Sequence, residues 1–181
     1  MIKLMIKLIA IVCNKIYGYE ALNLLFRILP SQLIVMVLRD FGAKIGDSVR
    51  IQSPFMVHNA DRNKKIFSNL EIGNDCYIGR ECIFDLMDKI IIRDRVTISH
   101  KCLFNTHTHA GKSNLLVEGI LPLSQNTINI NDDTYIGSGV TILEGVTIGI
   151  GAIVGAMSLV NKDVPSKATV VGIPSKVTRQ R

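Results

Sequence analysis

The fold is decided by the stretch from Ile130 to Val160, which reads INDDTY, IGSGVT, ILEGVT, IGIGAI, VGAMSL and V. An aliphatic residue opens every group of six, and the residue four positions later is always small or β-branched. Those later residues are Thr134, Val140, Val146, Ala152 and Ser158. A period of six is neither the ~3.6 of an α-helix nor the ~2 of a plain strand, and it is typical of a parallel β-helix.

Similar hexads precede this stretch. They begin at Ile72, Ile78, Ile92 and Ile98, have Phe84 and Phe104 in the aliphatic position, and have fainter copies at Ile45 and Ile51. We expect the first residue of each hexad to stack inward on its equivalents in neighbouring coils. Glycine often follows it, which we attribute to the backbone conformations that corners need. The repeat breaks once, between His109 and Ile128, and an excursion from a regular solenoid is usually functional.

The cysteines fit the same pattern. Cys76, Cys82 and Cys102 all occupy the small, inward position of a hexad, which favours packing over chemistry. The sequence has neither a CxxC pair nor the Cys and His spacing of a zinc site. We therefore expect no metal.

Composition narrows the class of protein but does not identify which ligand or surface the protein binds. The chain has 181 residues, of which 48% are hydrophobic and 20% charged, so it is one folded domain and not a disordered chain. Aromatic residues are only 6% with no Trp, which predicts a core of Ile and Val instead of large rings. The net charge of +6 suits a phosphate-bearing cofactor, an anionic glycan, nucleic acid or a membrane surface.

Residues 1–41 differ from the rest of the chain. Apolar residues recur there at helical spacing, with Lys between them: Ile2, Met5, Ile6, Ile9 and Val12. Pro30 followed by Ser31 ends one helical run and begins another, which Gly42 ends. Such helices either pack on the domain or on a neighbouring subunit, or lie on a membrane surface, as basic amphipathic helices do.

The chain is thus divided into a helical segment at 1–41, a β-helix at 42–177 with a loop insertion at 110–127, and a basic tail at 178–181. No secretory signal is evident, because Lys3, Lys7 and Lys15 break the N-terminal stretch. We expect a cytoplasmic location, at the inner face of the cytoplasmic membrane if the helices bind lipid.

The hexads, the segment Phe104–His109 and the ending from Val160 to Val177 resemble the hexapeptide-repeat acyltransferases. Within them, the chain is similar to the sugar and polysaccharide O-acetyltransferases of the galactoside and maltose type. The resemblance implies a mainly β fold, a left-handed parallel β-helix with an N-terminal helical extension and a protruding loop. It also implies a homotrimer that binds acetyl-CoA between adjacent subunits.

Transfer of an acetyl group to a hydroxyl needs a general base, and His titrates in the right range. The catalytic His of the family ends the hexad before the loop, so the resemblance implies that His109 is the base. It also implies that Ser138, in Tyr135-Ile-Gly-Ser, helps to bind the oxyanion. His100 is expected to be structural, and a metal site of His100, His107 and His109 is not expected.

The resemblance also assigns the contacts to each substrate. Those to the cofactor are Tyr135, Gly137, Ser138, Ala156, Asn161, Lys162, Lys176 and Arg179. Those to the acceptor are Tyr77, Asp85, Asn105, His107 and Glu118. Met157 stands where the family has Gly, which is a departure beside the pantetheine arm.

The predicted function is that of an acetyl-CoA-dependent O-acetyltransferase acting on a saccharide or lipid-linked glycan, in surface polysaccharide biosynthesis, with no nucleic-acid partner. Two alternatives stay open. The same scaffold serves N-acetyltransferases that modify nucleotide-linked amino sugars or other small amines. Some hexapeptide β-helices resemble zinc carbonic anhydrases, for which bound metal is the discriminating observation.

Overall fold

The computed structural model describes residues 1–60, 65–109, 111, 113–114 and 118–181. The chain begins with three helices: α1 (Ile2–Tyr17), α2 (Glu20–Phe26) and α3 (Ser31–Asp40). The first predicted helical run is divided at Gly18, whose φ of 73° ends α1. Pro30 has an extended backbone just before α3, and Gly42, with a φ of 109°, leads from the helices into the first coil.

From Lys44 onward the chain winds through three parallel sheets in turn. Sheet A contains β1 (Lys44–Ile45), β4 (Leu70–Ile72), β7 (Ile90–Ile92), β12 (Ile128–Ile130) and β15 (Thr147–Ile148). Sheet B contains β2 (Arg50–Ile51), β5 (Tyr77–Ile78), β8 (Thr97–Ile98), β13 (Tyr135–Ile136), β16 (Ile153–Val154), β18 (Ala168–Val171) and the antiparallel β19 (Lys176–Gln180). Sheet C contains β3 (Phe55–His58), β6 (Cys82–Asp85), β9 (Leu103–Phe104), β14 (Thr141–Ile142) and β17 (Leu159–Val160).

The hexad register is confirmed by the strand pairing. Ile130 of β12 lies beside Ile92 and Ile148, and Ile136 of β13 lies beside Ile98 and Val154. The residues that open the hexads from 130 to 160 are all fully buried. The small residues of the fifth position are buried as well, and so are the three hexad cysteines. Apolar side chains from all three sheets therefore form one continuous core.

The explanation given for the glycines is wrong. A Cβ atom at Gly137, in the second hexad position, would lie 2.6 Å from the backbone nitrogen of Ala156 in the next coil. Glycine is needed there because the coils approach closely, and not because φ is positive. Positive φ occurs instead at the fourth hexad position, as at Asp133 and Gly139. Met157 occupies that same position with a φ of 59°, a conformation in which Gly is usual.

The core is built mainly of Ile and Val, as predicted, but the expectation that it lacks large rings is wrong. Five of the six Phe residues are buried, and Phe84 lies between Phe55 and Phe104, with ring centroids 5.2 and 4.6 Å apart. Phe26 of α2 contacts Phe55 at 6.1 Å, so the column of rings joins the helices to sheet C. Composition counts the rings correctly, but it does not show that most of them are concentrated on one side of the core.

The excursion begins earlier than predicted. β10 (His107–Thr108) pairs antiparallel with β11 (Ser124–Gln125), so the chain leaves the coil within the Phe104–His109 hexad. Residues 110, 112 and 115–117 of the loop lie outside the described residues. The repeat also breaks between β3 and β4, which the hexads did not indicate. Residues 178–180, predicted as a tail, belong to β19.

Candidate active site

The parallel strands of sheet C all end at the corner that leads to sheet A, and polar residues follow their ends there. Asp85 is the last residue of β6, and Asn105 follows β9 in the next coil. The hairpin of β10 and β11 leaves the solenoid at the same corner. Polar groups from successive coils are therefore stacked directly above one another.

Asp85 is the centre of this cluster, and only 3% of it is exposed. Asn59 Nδ2 donates to its Oδ1 at 2.8 Å, and the backbone N–H of Thr106 donates to its Oδ2 at 3.0 Å. Burial raises the pKa of Asp85, but hydrogen bonds from His107 and Asn59 outweigh it, so the pKa lies below its ordinary value. The carboxyl is therefore ionised at neutral pH.

His107 lies directly on this carboxylate. Its Nδ1 is 2.5 Å from Asp85 Oδ2, and its side chain is 21% exposed. Because the ionised carboxylate can only accept, Nδ1 carries the proton and Nε2 of the neutral ring is free to accept one. A histidine oriented by a buried carboxylate in this way is the arrangement of a general base.

His109, the predicted base, is exposed two residues further along the hairpin. Its Nδ1 accepts the backbone N–H of Gly111 at 2.8 Å. A neutral ring with this contact carries its proton on Nε2. The sequence thus placed both histidines at one site, and the structure distinguishes them by their partners.

Glu144 fixes the hairpin to the solenoid, and sequence reasoning missed it. The Thr108 hydroxyl donates to both Glu144 carboxylate oxygens at 3.1 and 3.0 Å, and the Ser124 hydroxyl donates to one of them at 2.5 Å. Both strands of the hairpin are therefore held by one carboxylate of the next coil. Glu144 and Thr106 share the third hexad position, and like positions stack, so the repeat itself could have indicated this proximity.

We expect Glu144→Ala to loosen the hairpin without unfolding the β-helix. Two charge-assisted hydrogen bonds are lost, so the backbone amides of Thr108 and Asn126, which lie in the ladder of the hairpin, should exchange with deuterium about tenfold faster or more. Hydrogen exchange followed by mass spectrometry measures this, with Glu118→Ala as the matched loop control. Unchanged exchange in the stem would show that Glu144 does not hold it.

Ser138 lies at the other end of the sheet C strands, at the corner between sheets B and C. It is exposed, and its carbonyl accepts the backbone N–H of Met157 at 2.8 Å. Ala156 is exposed at the same corner, one coil further, and the Tyr135 hydroxyl lies 3.2 Å from Ser99 Oγ on sheet B. Within one chain, Ser138 and the two hairpin histidines, His107 and His109, are thus at different corners.

The remaining predicted contacts are distributed over several surfaces. Asn161 and Lys162 are exposed after β17, at the corner of the histidines, whereas Lys176 and Arg179 are exposed on β19. Tyr77 lies on sheet B and lines a groove beside α3, away from Asp85. Glu118 is exposed in the loop, and its backbone N–H donates to the Asn114 carbonyl at 2.8 Å.

Within the described part of the chain, no group of three His, Cys, Asp or Glu side chains is arranged to hold a metal ion. His100 Nδ1 accepts the backbone N–H of Arg80 at 3.0 Å, at the corner between sheets B and C. His100 therefore lies apart from the two hairpin histidines.

Comparison with protein-family profiles gives no match. Over 74 residues, 41% of this chain, the sequence is 45% identical to 2,3,4,5-tetrahydropyridine-2,6-dicarboxylate N-acetyltransferase of Staphylococcus aureus. That stretch is 31% of the relative, so the chain spans about a third of the length of the curated relatives it matches.

Solved structures match more of the chain. A hexapeptide-repeat-containing acetyltransferase from Vibrio cholerae superposes with a TM-score of 0.75 at 27% identity, over 89% of this chain and 87% of that one. A second structure of the same Vibrio cholerae protein, with acetyl-CoA bound, superposes with a TM-score of 0.74 at 26% identity. A galactoside acetyltransferase in complex with coenzyme A superposes with a TM-score of 0.63 at 25% identity, over 89% of this chain and 78% of that one.

The chain has the fold of the hexapeptide-repeat acetyltransferases. The resemblance predicted from the hexads is thereby confirmed, and so is the fold class, a left-handed parallel β-helix with an N-terminal helical extension. In this acetyltransferase fold, the excursion predicted at 110–127 begins instead at β10, within the hexad that contains His107 and His109.

Proposed function

We propose that the protein is an acetyl-CoA-dependent O-acetyltransferase that transfers an acetyl group to a saccharide hydroxyl. The observation that carries this proposal is the hairpin with two histidines, one of them on the buried carboxylate of Asp85, in a β-helix of acetyltransferase fold. The bound acetyl-CoA and coenzyme A in two of the similar structures support the donor. An acceptor from surface polysaccharide biosynthesis, free or lipid-linked, is part of the proposal.

The reaction is a direct transfer in a ternary complex. Once His109 Nδ1 is released from the Gly111 N–H, it accepts the proton of the acceptor hydroxyl as the hydroxyl oxygen attacks the thioester carbonyl carbon. The new C–O bond gives a tetrahedral oxyanion, which the Ser138 hydroxyl and a nearby backbone N–H stabilise. The C–S bond then breaks, and the His109 imidazolium returns its proton to the coenzyme A thiolate.

A second assignment of the base rests on a specific contact. His107 Nδ1 is held by Asp85, which leaves Nε2 free to accept a proton, whereas His109 Nδ1 already accepts the Gly111 N–H. The position of His109 at the end of the hexad before the loop favours His109 as the base, whereas the hydrogen bonds favour His107. Comparison of the two alanine variants decides between them.

The separation of Ser138 from the histidines supports a homotrimer with sites between subunits. Because the two groups are at different corners of one chain, a neighbouring subunit has to supply one of them. Asn161 and Lys162 follow sheet C, while Lys176 and Arg179 lie on sheet B, so the proposed cofactor contacts also come from two surfaces. Cyclic assemblies build such composite sites.

Complementation between inactive variants tests this arrangement. We expect Ser138→Ala to lower kcat about a hundredfold, because one oxyanion donor is lost. Mixing it 1:1 with His109→Ala, by denaturation and joint refolding, should restore about one quarter of the wild-type activity, since one in four interfaces then carries both intact groups. Each variant refolded alone is the control. Failure to gain activity would contradict a site shared between subunits.

The function itself is tested by coenzyme A release from acetyl-CoA over a panel of saccharides, amino-sugar nucleotides and simple hydroxyl compounds. Release that depends on a saccharide hydroxyl supports the proposal. Release only with an amine contradicts it and supports the N-acetyltransferase alternative, which the 45% identity to the Staphylococcus aureus enzyme favours. Zinc-dependent hydration of carbon dioxide, with stoichiometric metal, would support the carbonic anhydrase alternative.

A further inference from the structure

Helix α1 is fixed to the protein by one narrow face. Ala10 is fully buried, and Ile6 packs against the core. Lys7 Nζ donates to Asp40 Oδ1 of α3 at 3.0 Å, which also ties the two helices together. The orientation of the opposite face is therefore set by the fold.

That opposite face is almost wholly apolar and exposed. Eight aliphatic or thioether side chains of α1 are between 38 and 69% exposed: Ile2, Leu4, Met5, Leu8, Ile9, Ile11, Val12 and Ile16. We call these residues the outer face of α1. Leu24 and Ile28, just after it in the chain, are exposed too. A continuous apolar surface on one helix differs from the scattered exposed residues of an ordinary protein surface, and marks an interaction site.

The charges that α1 itself contributes have one sign, since residues 1–19 of the sequence contain no Asp or Glu. Lys15 is exposed on the outer face, three residues after Val12 and four after Ile11, whereas Lys3 lines the groove beside α3. Apolar side chains combined with lysines match the interface of an anionic bilayer, where acyl chains lie beneath negative headgroups.

The length of α1 sets how it meets a bilayer. Its 16 residues extend ~24 Å, shorter than the ~30 Å hydrocarbon core. Within the described ranges, no helix is long and apolar enough to cross a membrane. A helix of this kind lies in the plane of the interface.

We infer that the outer face of α1 docks the protein on an anionic lipid surface, with the helix parallel to the bilayer. A second copy fits less well, because pairing two outer faces would enclose Lys15 of each helix between them, and residues 1–19 supply no carboxylate to pair with it. The inference goes beyond the proposed function and does not depend on it, since α1 contributes nothing to the site of Asp85 and the histidines.

Vesicle binding of the full chain tests the inference. Co-sedimentation is measured with vesicles of phosphatidylcholine alone and with a third of the lipid replaced by phosphatidylglycerol. We expect binding to the anionic vesicles only, weakened by salt, and reduced about fivefold by Lys15→Gln. Leu8→Glu should reduce it at least tenfold, because a carboxylate then enters the apolar layer.

Ile150→Glu is the matched control, since it changes an aliphatic residue of similar exposure in the β-helix, and it should leave binding unchanged. Sedimentation velocity without lipid is run on the wild type and Leu8→Glu. No binding of the wild type, or binding insensitive to Leu8→Glu, would overturn the inference. So would a smaller assembly for Leu8→Glu in the absence of lipid, which would show that a second copy covers this face.

Discussion

The His109→Ala protein should have a kcat about a thousandfold below that of the wild type, within the range of general acid–base catalysis. The reason is that a sugar hydroxyl is a poor nucleophile at neutral pH unless its proton is removed as it attacks. Because His109 is exposed, its loss leaves the hydrophobic core unchanged. Binding of acetyl-CoA, measured by calorimetry, should therefore change little.

The control is His107→Ala, two residues away in the same hairpin. If His107 positions the site through Asp85, its loss should lower kcat about tenfold. A larger loss of kcat for His107→Ala than for His109→Ala, with a similar loss for Asp85→Asn, would contradict the assignment of His109 as the base. It would establish His107, the histidine held by the Asp85 carboxylate, as the base. Released coenzyme A is best measured by chromatography, because the partly exposed Cys13 would react with a thiol reagent.

The hexads were sufficient to predict most of the fold. Their first and fifth positions are buried as expected, because a six-residue period allows only one way to stack coils with Ile130, Ile136 and Ile142 all inward. The loop between β3 and β4 was missed, because the hexads near Ile45 and Ile51 are too faint to show where the period fails. The burial of Phe55 was not predicted for the same reason, because the faint hexads in this region do not show which side chains point inward.

The site was harder to predict, because it depends on residues that the period does not mark. Asp85 and the two histidines were identified through the family resemblance. Asn59 was missed because it lies in a loop outside the hexads, and Glu144 because its position in a corner looks like that of any solvated carboxylate. The hydrogen bonds that distinguish His107 from His109 exist only in three dimensions.

The largest stability effect should come from Phe84→Ala. Phe84 is fully buried between Phe55 and Phe104, and it connects the coils of β3, β6 and β9. Truncating a buried ring removes its contacts and leaves a cavity that the neighbouring rings fill incompletely, at a cost of about 3–5 kcal/mol in the free energy of unfolding. Little of this can be recovered by local movement, because hydrogen bonds on both sides fix the coils.

Urea titration followed by circular dichroism, at one fixed protein concentration, measures this loss. Ile142→Val, a smaller truncation at the equivalent position two coils beyond Phe84, should cost about 1 kcal/mol and serves as the matched control. Phe84 also adjoins Asp85, so the variant should lose activity at temperatures where it remains folded. A loss of stability no larger than that of Ile142→Val would mean that the column of rings closes over the cavity, and that the core is held chiefly by its aliphatic stacks.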